Sequence, residues 1–170
     1  DLDRKITHLQ AVRTTLCTHH QNMTTLLTMD LSEISLVEKE ERRLITVDIS
    51  RDTSFEEEVE LITAQTEKHH LGRLHDASYG SMIPVSSLQN DVFDDYSKLF
   101  IEIPFLTQKT GLHTQPGGTY LRAFHKGDWA LIPKRYQEIL AYASQHHLTP
   151  YGYSYETGIN ENVIDQMEDY

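Results

Sequence analysis

The chain has 170 residues, of which 38% are hydrophobic, and its formal net charge is −11. This length suits one ordinary domain with an appendage, and the acidic balance argues against unaided binding to nucleic acid or to an anionic membrane. The single cysteine, Cys17, excludes an internal disulfide and a multi-cysteine zinc site, and no apolar run approaches the ~18 residues of a membrane span.

The first predicted element is an amphipathic helix over residues 1–30. Its apolar seam repeats every seven residues, at Leu2, Leu9, Leu16 and Met23. A heptad seam on a helix of this length favours pairing with a second helix, so we predict a coiled-coil dimerisation helix. The alternative is that the seam packs onto the chain's own domain. Because the chain starts inside this pattern without a methionine, we expect natural sequence before it.

A connector and a strand–helix unit are predicted next. Residues 31–43 are polar with scattered apolar positions and are predicted to form the connector, and the β-rich run 44–49 is predicted as a strand. Ser54 is predicted to cap the helix that follows, because glutamates fill the first turn, where the helix dipole favours acids. The apolar face of this helix is predicted from Phe55, Val59 and Ile62.

The rest of the pattern is two strands, a linker and a second unit. The strands are predicted at 80–86 and 96–105, and the glycine- and proline-rich stretch 107–118 is predicted as a flexible linker. The order then restarts with a strand, a turn, a helix and a strand, at 120–125, 126–128, 129–147 and 151–158. Residues 163–170 are predicted to begin a last strand.

A shift of 77 positions superposes the two halves of this pattern. It aligns Leu44 with Leu121, Ile62 with Ile139, and His69-His70-Leu71 with His146-His147-Leu148. The matches and the shared order favour duplication of one module. We interpret the histidine pairs as helix-terminal cations, since no carboxylate or cysteine completes a metal-ligand set. The shift also places Tyr79 on Glu156, so a twofold relation between the modules would direct both into one groove.

Three stretches of the second half resemble a known family. They are 118–129 (GTYLRAFHKGDW), 136–142 (YQEILAY) and 152–156 (GYSYE). They are similar to the second-module strand and turn, the helix, and the acid-bearing strand of GyrI-like effector-binding domains. With the preceding heptad helix, the whole chain resembles the C-terminal part of multidrug-responsive MerR-family transcription activators.

This resemblance implies an α+β fold, in which a long N-terminal coiled-coil helix precedes a duplicated β-α-β-β module of the GyrI-like, SHS2 type, with antiparallel sheets and a central ligand cleft. The implied domains are a dimerisation helix (1–30), a connector (31–43) and an effector-binding domain (44–170), the last divided into module one (44–106), the linker (107–118) and module two (119–170). The family further implies a homodimer through the first helix and no cofactor or metal. It also implies a winged-helix domain, absent from this sequence, through which promoter DNA and RNA polymerase are reached.

A drug-sensing pocket needs apolar walls and a few polar anchors, and aromatic faces attract cations. We predict that Glu156 anchors a hydrophobic, cationic ligand between walls formed by Tyr79, Phe100, Tyr120 and Trp129, with a weaker contribution from Tyr153. Strand alternation places the tyrosines of 151–155 on the face opposite Glu156, so these side chains cannot simply line one cavity.

If Glu156 is buried, its charge needs a partner. Tyrosine hydroxyls, Arg122 or the cationic ligand itself could supply it, whereas the alternative is a surface glutamate on an edge strand. Glu102, on the same strand face as Phe100, is a second candidate acid.

Two other functions are compatible with the resemblance. One is a stand-alone GyrI-like hydrolase of small strained electrophiles that uses Glu156 with Tyr79 or Trp129. No Ser–His or Cys–His pair has supporting spacing, so we expect no enzymatic activity. The other is a protein-binding module, which would not need the heptad helix. Cysteine usage and the absence of a visible signal peptide predict a cytoplasmic protein.

Overall fold

In a computed structural model, residues 30–69, 78–102 and 112–158 are described, together with scattered helical positions between residues 2 and 24. In chain order the elements are β1 (Ser35–Lys39), β2 (Arg42–Asp48), α1 (Phe55–Lys68), β3 (Ser78–Pro84), α2 (Val85–Gln89), β4 (Lys98–Glu102), β5 (His113–Gln115), β6 (Gly118–Arg122), a 3-10 turn (Trp129–Leu131), α3 (Ile132–Gln145) and β7 (Tyr153–Thr157). The chain is an α+β protein with antiparallel strands, as predicted.

The seam leucines of the first helix are exposed. Leu2, Leu9 and Leu16 are helical and are 71%, 65% and 63% exposed. Met23, the last residue of the predicted seam, lies outside the described residues. Such exposure is compatible with pairing to a second helix, and the coiled coil itself stays a prediction.

Five strands form an antiparallel sheet in the order β5-β2-β4-β3-β7, whereas β1 and β6 form a separate antiparallel ribbon. Because side chains alternate along a strand, the pairing register divides the sheet into two faces. The face that we call the helix face carries Tyr79, Ser81, Ile83, Ile45, Ile101, Ser154 and Glu156. The opposite face, the ribbon face, carries Leu44, Met82, Phe100, His113, Tyr153 and Tyr155.

Each face of the sheet has its own apolar cluster. On the helix face, Ile83 and Leu88 are buried with Tyr136 of α3. On the ribbon face the buried residues are Leu44, Met82 and Phe100, with Tyr153 and Tyr155 packed against them. Burying one large apolar side chain stabilises a fold by about 1.5–3 kcal/mol. Both faces therefore contribute to stability, and the sheet separates the two apolar clusters.

Helix α1 begins as predicted. The Glu57 amide donates to Ser54 Oγ at 3.3 Å, and the Ser54 amide donates to Glu57 Oε2 at 2.8 Å. This reciprocal capping box satisfies two amides that the helix start would leave without acceptors. Asp128 caps the 3-10 turn before α3, where it accepts from the Ala130 amide at 2.9 Å, and Pro133 lies in the first turn of α3. Short-range chemistry thus fixes the start of α1 and of the turn that leads into α3.

The apolar face predicted for α1 is not buried in a core. Phe55 is 79% exposed and Val59 is 49% exposed. Thr66 is the buried residue of this helix among those described. The helix contacts β2 and β4, and its first turns border open space. Amphipathic periodicity does not distinguish a face that packs in a core from one that lines a cleft, and the apolar face predicted for α1 lines open space.

The strand registers agree with the 77-residue shift. Helix α3 begins and ends 77 positions after α1, at Ile132 against Phe55 and at Gln145 against Lys68. Under the same shift, Leu36 corresponds to His113 and Leu121 corresponds to Leu44. The pair Leu36–Leu121 between β1 and β6 therefore corresponds to the pair His113–Leu44 that is observed between β5 and β2. It also relates Gly80 to Thr157, which pair directly across β3 and β7. A local twofold axis between these two strands accounts for all three observations.

Several predicted boundaries need correction. Strand β1 lies within the predicted connector (31–43), and strand β5 lies within the predicted linker (107–118). Both strands are short and contain polar residues, and each exists because a distant strand pairs with it. The strand predicted at 80–86 ends at Pro84, where α2 starts. The last strand predicted at 163–170 lies outside the described residues.

Across the described residues, every helix falls short of the length and apolar character that a bilayer-spanning segment requires.

Candidate ligand-binding cleft

Glu156 lies on the helix face of β7 and accepts two phenolic hydrogen bonds. Tyr136 of α3 donates to Oε1 at 2.5 Å, and Tyr96, just before β4, donates to Oε2 at 2.9 Å. The Tyr136 hydroxyl also lies 2.8 Å from Ser154 Oγ. Each carboxylate oxygen thus has its own donor, contributed by a different element.

Burial dominates the electrostatics of this group. It raises the pKa of Glu156 above the ordinary value, while the hydrogen bonds from Tyr136 and Tyr96 and the charge of His125 oppose the rise. Burial, together with the charge of Glu156, also raises the pKa of Tyr136 and of Tyr96. Both phenols therefore keep their protons at neutral pH and act as donors.

Local packing fixes the two tyrosines. The Tyr136 ring is buried on the apolar stripe of α3 and stacks on Phe93, with ring centroids 6.3 Å apart and planes 17° apart. Tyr96 packs against the same cluster. Because buried tyrosines need a partner for the hydroxyl, a tyrosine on the apolar stripe of a helix signals a nearby acceptor. The sequence analysis did not connect Tyr136 with Glu156, and it missed Tyr96.

Open space of about 1560 Å³ surrounds the sheet. Residues of both faces line it, so the strands divide it and it is not one chamber. Its helix-face part is lined by Phe55, Val59 and Ile62 of α1, by Ile132, Tyr136 and Ile139 of α3, and by Tyr79, Ser81 and Glu156 of the sheet. We call this part the acidic cleft. Its walls are mainly apolar, and Glu156 provides a carboxylate at its base.

The structure separates the predicted site residues into two groups. Tyr79 lies on the helix face with Glu156. It is two positions before Ser81, the β3 residue that pairs with Glu156. Trp129 is 55% exposed in the turn before α3 and borders the same space.

The other three predicted walls belong to the ribbon face. Phe100 is buried there, the Tyr153 ring meets His113 edge-on at 5.8 Å, and the Tyr120 ring meets Tyr155 at 6.4 Å. The structure does not bring these side chains together with Glu156. The face separation expected from strand alternation is therefore observed, and it extends to Phe100 and Tyr120.

The structure also shows which of the possible partners contact Glu156. Among the described residues, the tyrosine hydroxyls hold the carboxylate, and no lysine or arginine forms an ion pair with it. The Arg122 guanidinium instead lies over the Phe124 ring, 5.4 Å from its centroid. Glu102, the second candidate acid, forms an ion pair with Arg42 on the ribbon face.

The similarity of this chain to known proteins lies in its fold. No protein-family model matches the sequence, and no curated protein matches it. Its structure is similar to that of EcmrR, solved by cryo-EM as an EcmrR–DNA complex in EcmrR-RPo, with a TM-score of 0.55 and 14% sequence identity. EcmrR is a regulator of the MerR type. The fold resembles that of a MerR-type regulator.

This likeness covers 98% of the present chain but 65% of EcmrR, so the chain spans less than two thirds of that protein. At 14% identity the similarity extends to the fold alone. The residues of the acidic cleft must therefore be interpreted from their own chemistry.

Proposed function

We propose that this chain is the dimerisation and effector-binding region of a bacterial MerR-type transcription regulator. In this proposal the acidic cleft binds hydrophobic, cationic small molecules. Binding is transmitted to an N-terminal winged-helix domain that lies outside this sequence, and promoter DNA and RNA polymerase are reached through that domain. The similarity to EcmrR, which was solved with DNA, supports the regulatory part.

The observation that carries the ligand class is the environment of Glu156. Its carboxylate is partly buried at the base of an apolar cleft, is oriented by two phenols, and has no cationic side chain as an ion-pair partner among the described residues. A buried negative charge without a counter-ion is costly, and a lipophilic cation would compensate it. Tyr79 and Trp129 add aromatic surface on which a cation can stack.

Ligand titrations of the chain test this proposal with a matched pair of probes. Tetraphenylphosphonium is a lipophilic cation, and triphenylphosphine oxide is a neutral compound of related shape. We expect the cation to bind and to raise the melting temperature, because a ligand that binds only the folded state stabilises it. Glu156→Gln should weaken cation binding by about tenfold or more, since charge attraction in a partly dry site amounts to a few kcal/mol.

The control is Glu60→Gln, which removes an exposed carboxylate of α1. It should leave both affinities unchanged. Equal losses for cation and neutral probe in Glu156→Gln would contradict the charge argument.

The hydrolase alternative uses the same carboxylate. A buried acid with a raised pKa beside two phenols could act as a general acid or base, and this is the observation that favours it. A sensor releases its ligand unchanged, whereas a hydrolase converts it. We propose the sensor. Mass spectrometry of a strained electrophile such as an epoxide, incubated with the chain and with Glu156→Gln, separates the two, since Glu156-dependent turnover would establish the hydrolase.

A further inference from the structure

A group of basic side chains lies on the other side of the sheet. Lys39 of β1 and Arg122 of β6 share one face of the ribbon, because the register pairs Lys39 with Gly118 and Ser35 with Arg122. Tyr120 lies on the same side of the ribbon as Lys39 and Arg122, and it contacts Tyr155 of the sheet. This side of the ribbon therefore faces the ribbon face of the sheet, where Arg42 begins β2.

The balance of charge in this group is opposite to that of the chain. The chain carries a net charge of −11, yet here the carboxylate of Glu102 accompanies the three cations Lys39, Arg42 and Arg122. Burial lowers the pKa of Lys39, and the nearby charges of Arg42 and Arg122 lower it further, with Glu102 in opposition. Glu102 forms an ion pair with Arg42. Two positive charges are thus left without an ion-pair partner among the described residues.

Arg122 provides an independent observation. Its Nε atom is buried and finds no acceptor among the described residues. The guanidinium lies over the Phe124 ring, 5.4 Å from the centroid. A buried guanidinium donor without an acceptor is unfavourable, because it has lost its hydrogen bond to water and gained none in exchange. The terminal nitrogens of the same guanidinium are not buried in this way. An oxyanion bound there would compensate the charge, and arginine geometry suits carboxylates and phosphates.

Aromatic rings lie next to these cations. The Tyr155 ring meets Phe100 edge-on at 6.0 Å, and its hydroxyl lies 3.0 Å from His113 Nε2. Burial raises the pKa of Tyr155 to about 12, so the phenol stays neutral and does not repel an anion. The ring surface would accommodate the planar part of a ligand.

We propose that the space between the ribbon and the ribbon face of the sheet is a second binding site, which takes a small aromatic anion whose carboxylate or phosphate group meets Arg122 and Lys39. This site is separated from the acidic cleft by the sheet. It has the opposite charge preference, and it does not depend on the function proposed for Glu156.

Calorimetric titration of the chain with 2-naphthoate, 2-naphthyl phosphate and neutral 2-naphthamide tests this site. At least one anion should bind about tenfold more tightly than the amide, because a charge-assisted hydrogen bond contributes on this scale. The two anions distinguish a carboxylate from a phosphate ligand. Arg122→Gln should weaken the preferred anion about tenfold. Lys39→Gln, a change at an exposed position, should weaken it several-fold and keeps the test valid if Arg122→Gln fails to fold.

Arg51→Gln is the matched control, because Arg51 pairs with Asp94 away from this group. It should bind the anions like the unchanged chain. Tetraphenylphosphonium should not displace them, since it would occupy the other face. Equal affinity for anion and amide, or anion affinities unaffected by both Arg122→Gln and Lys39→Gln, would overturn the proposal.

Discussion

At the scale of single residues, Glu156 combines two opposing influences. Burial favours its protonated form, whereas two phenolic donors favour the carboxylate. Burial prevails, because the pKa of Glu156 is raised. A hydrophobic cation arriving in the acidic cleft would add a third influence that favours the carboxylate. Ligand binding and proton release should therefore be coupled.

This environment predicts a pH-dependent stability. The raised pKa means that folding stabilises protonated Glu156, so its contribution to stability is fully present below the ordinary pKa of 4.5 and is lost as the pH rises through the folded-state pKa. The free energy of unfolding should fall over that interval more in the unchanged chain than in Glu156→Gln. Urea unfolding of both proteins between pH 4 and pH 7 measures the difference, with Glu60→Gln as control. A difference that does not vary with pH would contradict the expectation.

Part of the candidate site could be predicted from the sequence. Glu156 was predicted because residues 152–156 resemble an acid-bearing strand, and alternation indicated that the neighbouring tyrosines face away, whereas Phe100 and Tyr120 were predicted as walls and lie on the other side of the sheet. Tyr96 and Tyr136 were not connected with Glu156, because their approach depends on the α3 packing and the β3–β7 register. Those are long-range features, which local patterns do not encode.

At the scale of elements, the start of a helix depends on residues that are close in sequence, whereas the short strands depend on distant pairing partners. The start of α1 follows from Ser54 and Glu57, which lie three residues apart, so the sequence sufficed to predict it. Strands β1 and β5 are five and three residues long and exist through pairing with β6 and β2. Their sequences are polar, and no window around them shows the alternation of a buried strand. Hence a connector and a linker were predicted in their place.

The close approach of β3 and β7 makes Gly80 sensitive to substitution. A Cβ at this position would lie 1.9 Å from the Glu156 carbonyl oxygen and 2.7 Å from Phe100 Cζ. Gly80→Ala should therefore lower the free energy of unfolding by about 2–3 kcal/mol, since the neighbouring strand and a buried ring must move. Denaturant unfolding measures this loss.

The comparison for Gly80→Ala is Gly127→Ala. No atom lies within 4 Å of the added Cβ there, and a φ of +103° is the main obstacle. This variant should lose about 1 kcal/mol. If Gly80→Ala is no more destabilised than Gly127→Ala, the strands approach less closely than described.

At the scale of the whole molecule, the seam leucines of the first helix are exposed. Apolar side chains that repeat every seven residues and remain in water are unfavourable, and pairing with a second copy would cover them. The fold is similar to that of EcmrR. Dimerisation through this helix is our proposal.

Charges in the seam should abolish this pairing. Leu9 and Leu16 are exposed in the single chain, so Leu9→Asp with Leu16→Asp should leave the rest of the fold intact. In a dimer each buried aspartate costs at least about 2 kcal/mol. Sedimentation should show a dimer for the unchanged chain and a monomer for the double variant. Gln10→Asp with Gln21→Asp adds the same charge, and loss of the dimer in that control would mean that charge alone, not the leucine seam, controls association.

The direct pairing of Gly80 with Thr157 gives the acidic cleft two ends that share a scaffold but differ in chemistry. Under the 77-residue shift, Tyr79 is the counterpart of Glu156, and Val59 is the counterpart of Tyr136. A cleft with identical residues at both ends would accept a ligand in either direction. Here Tyr79 stands where its counterpart is the acid Glu156. Under the proposed function, an elongated molecule with one charged end would therefore bind in one direction only, although the scaffold around it is twofold-symmetric.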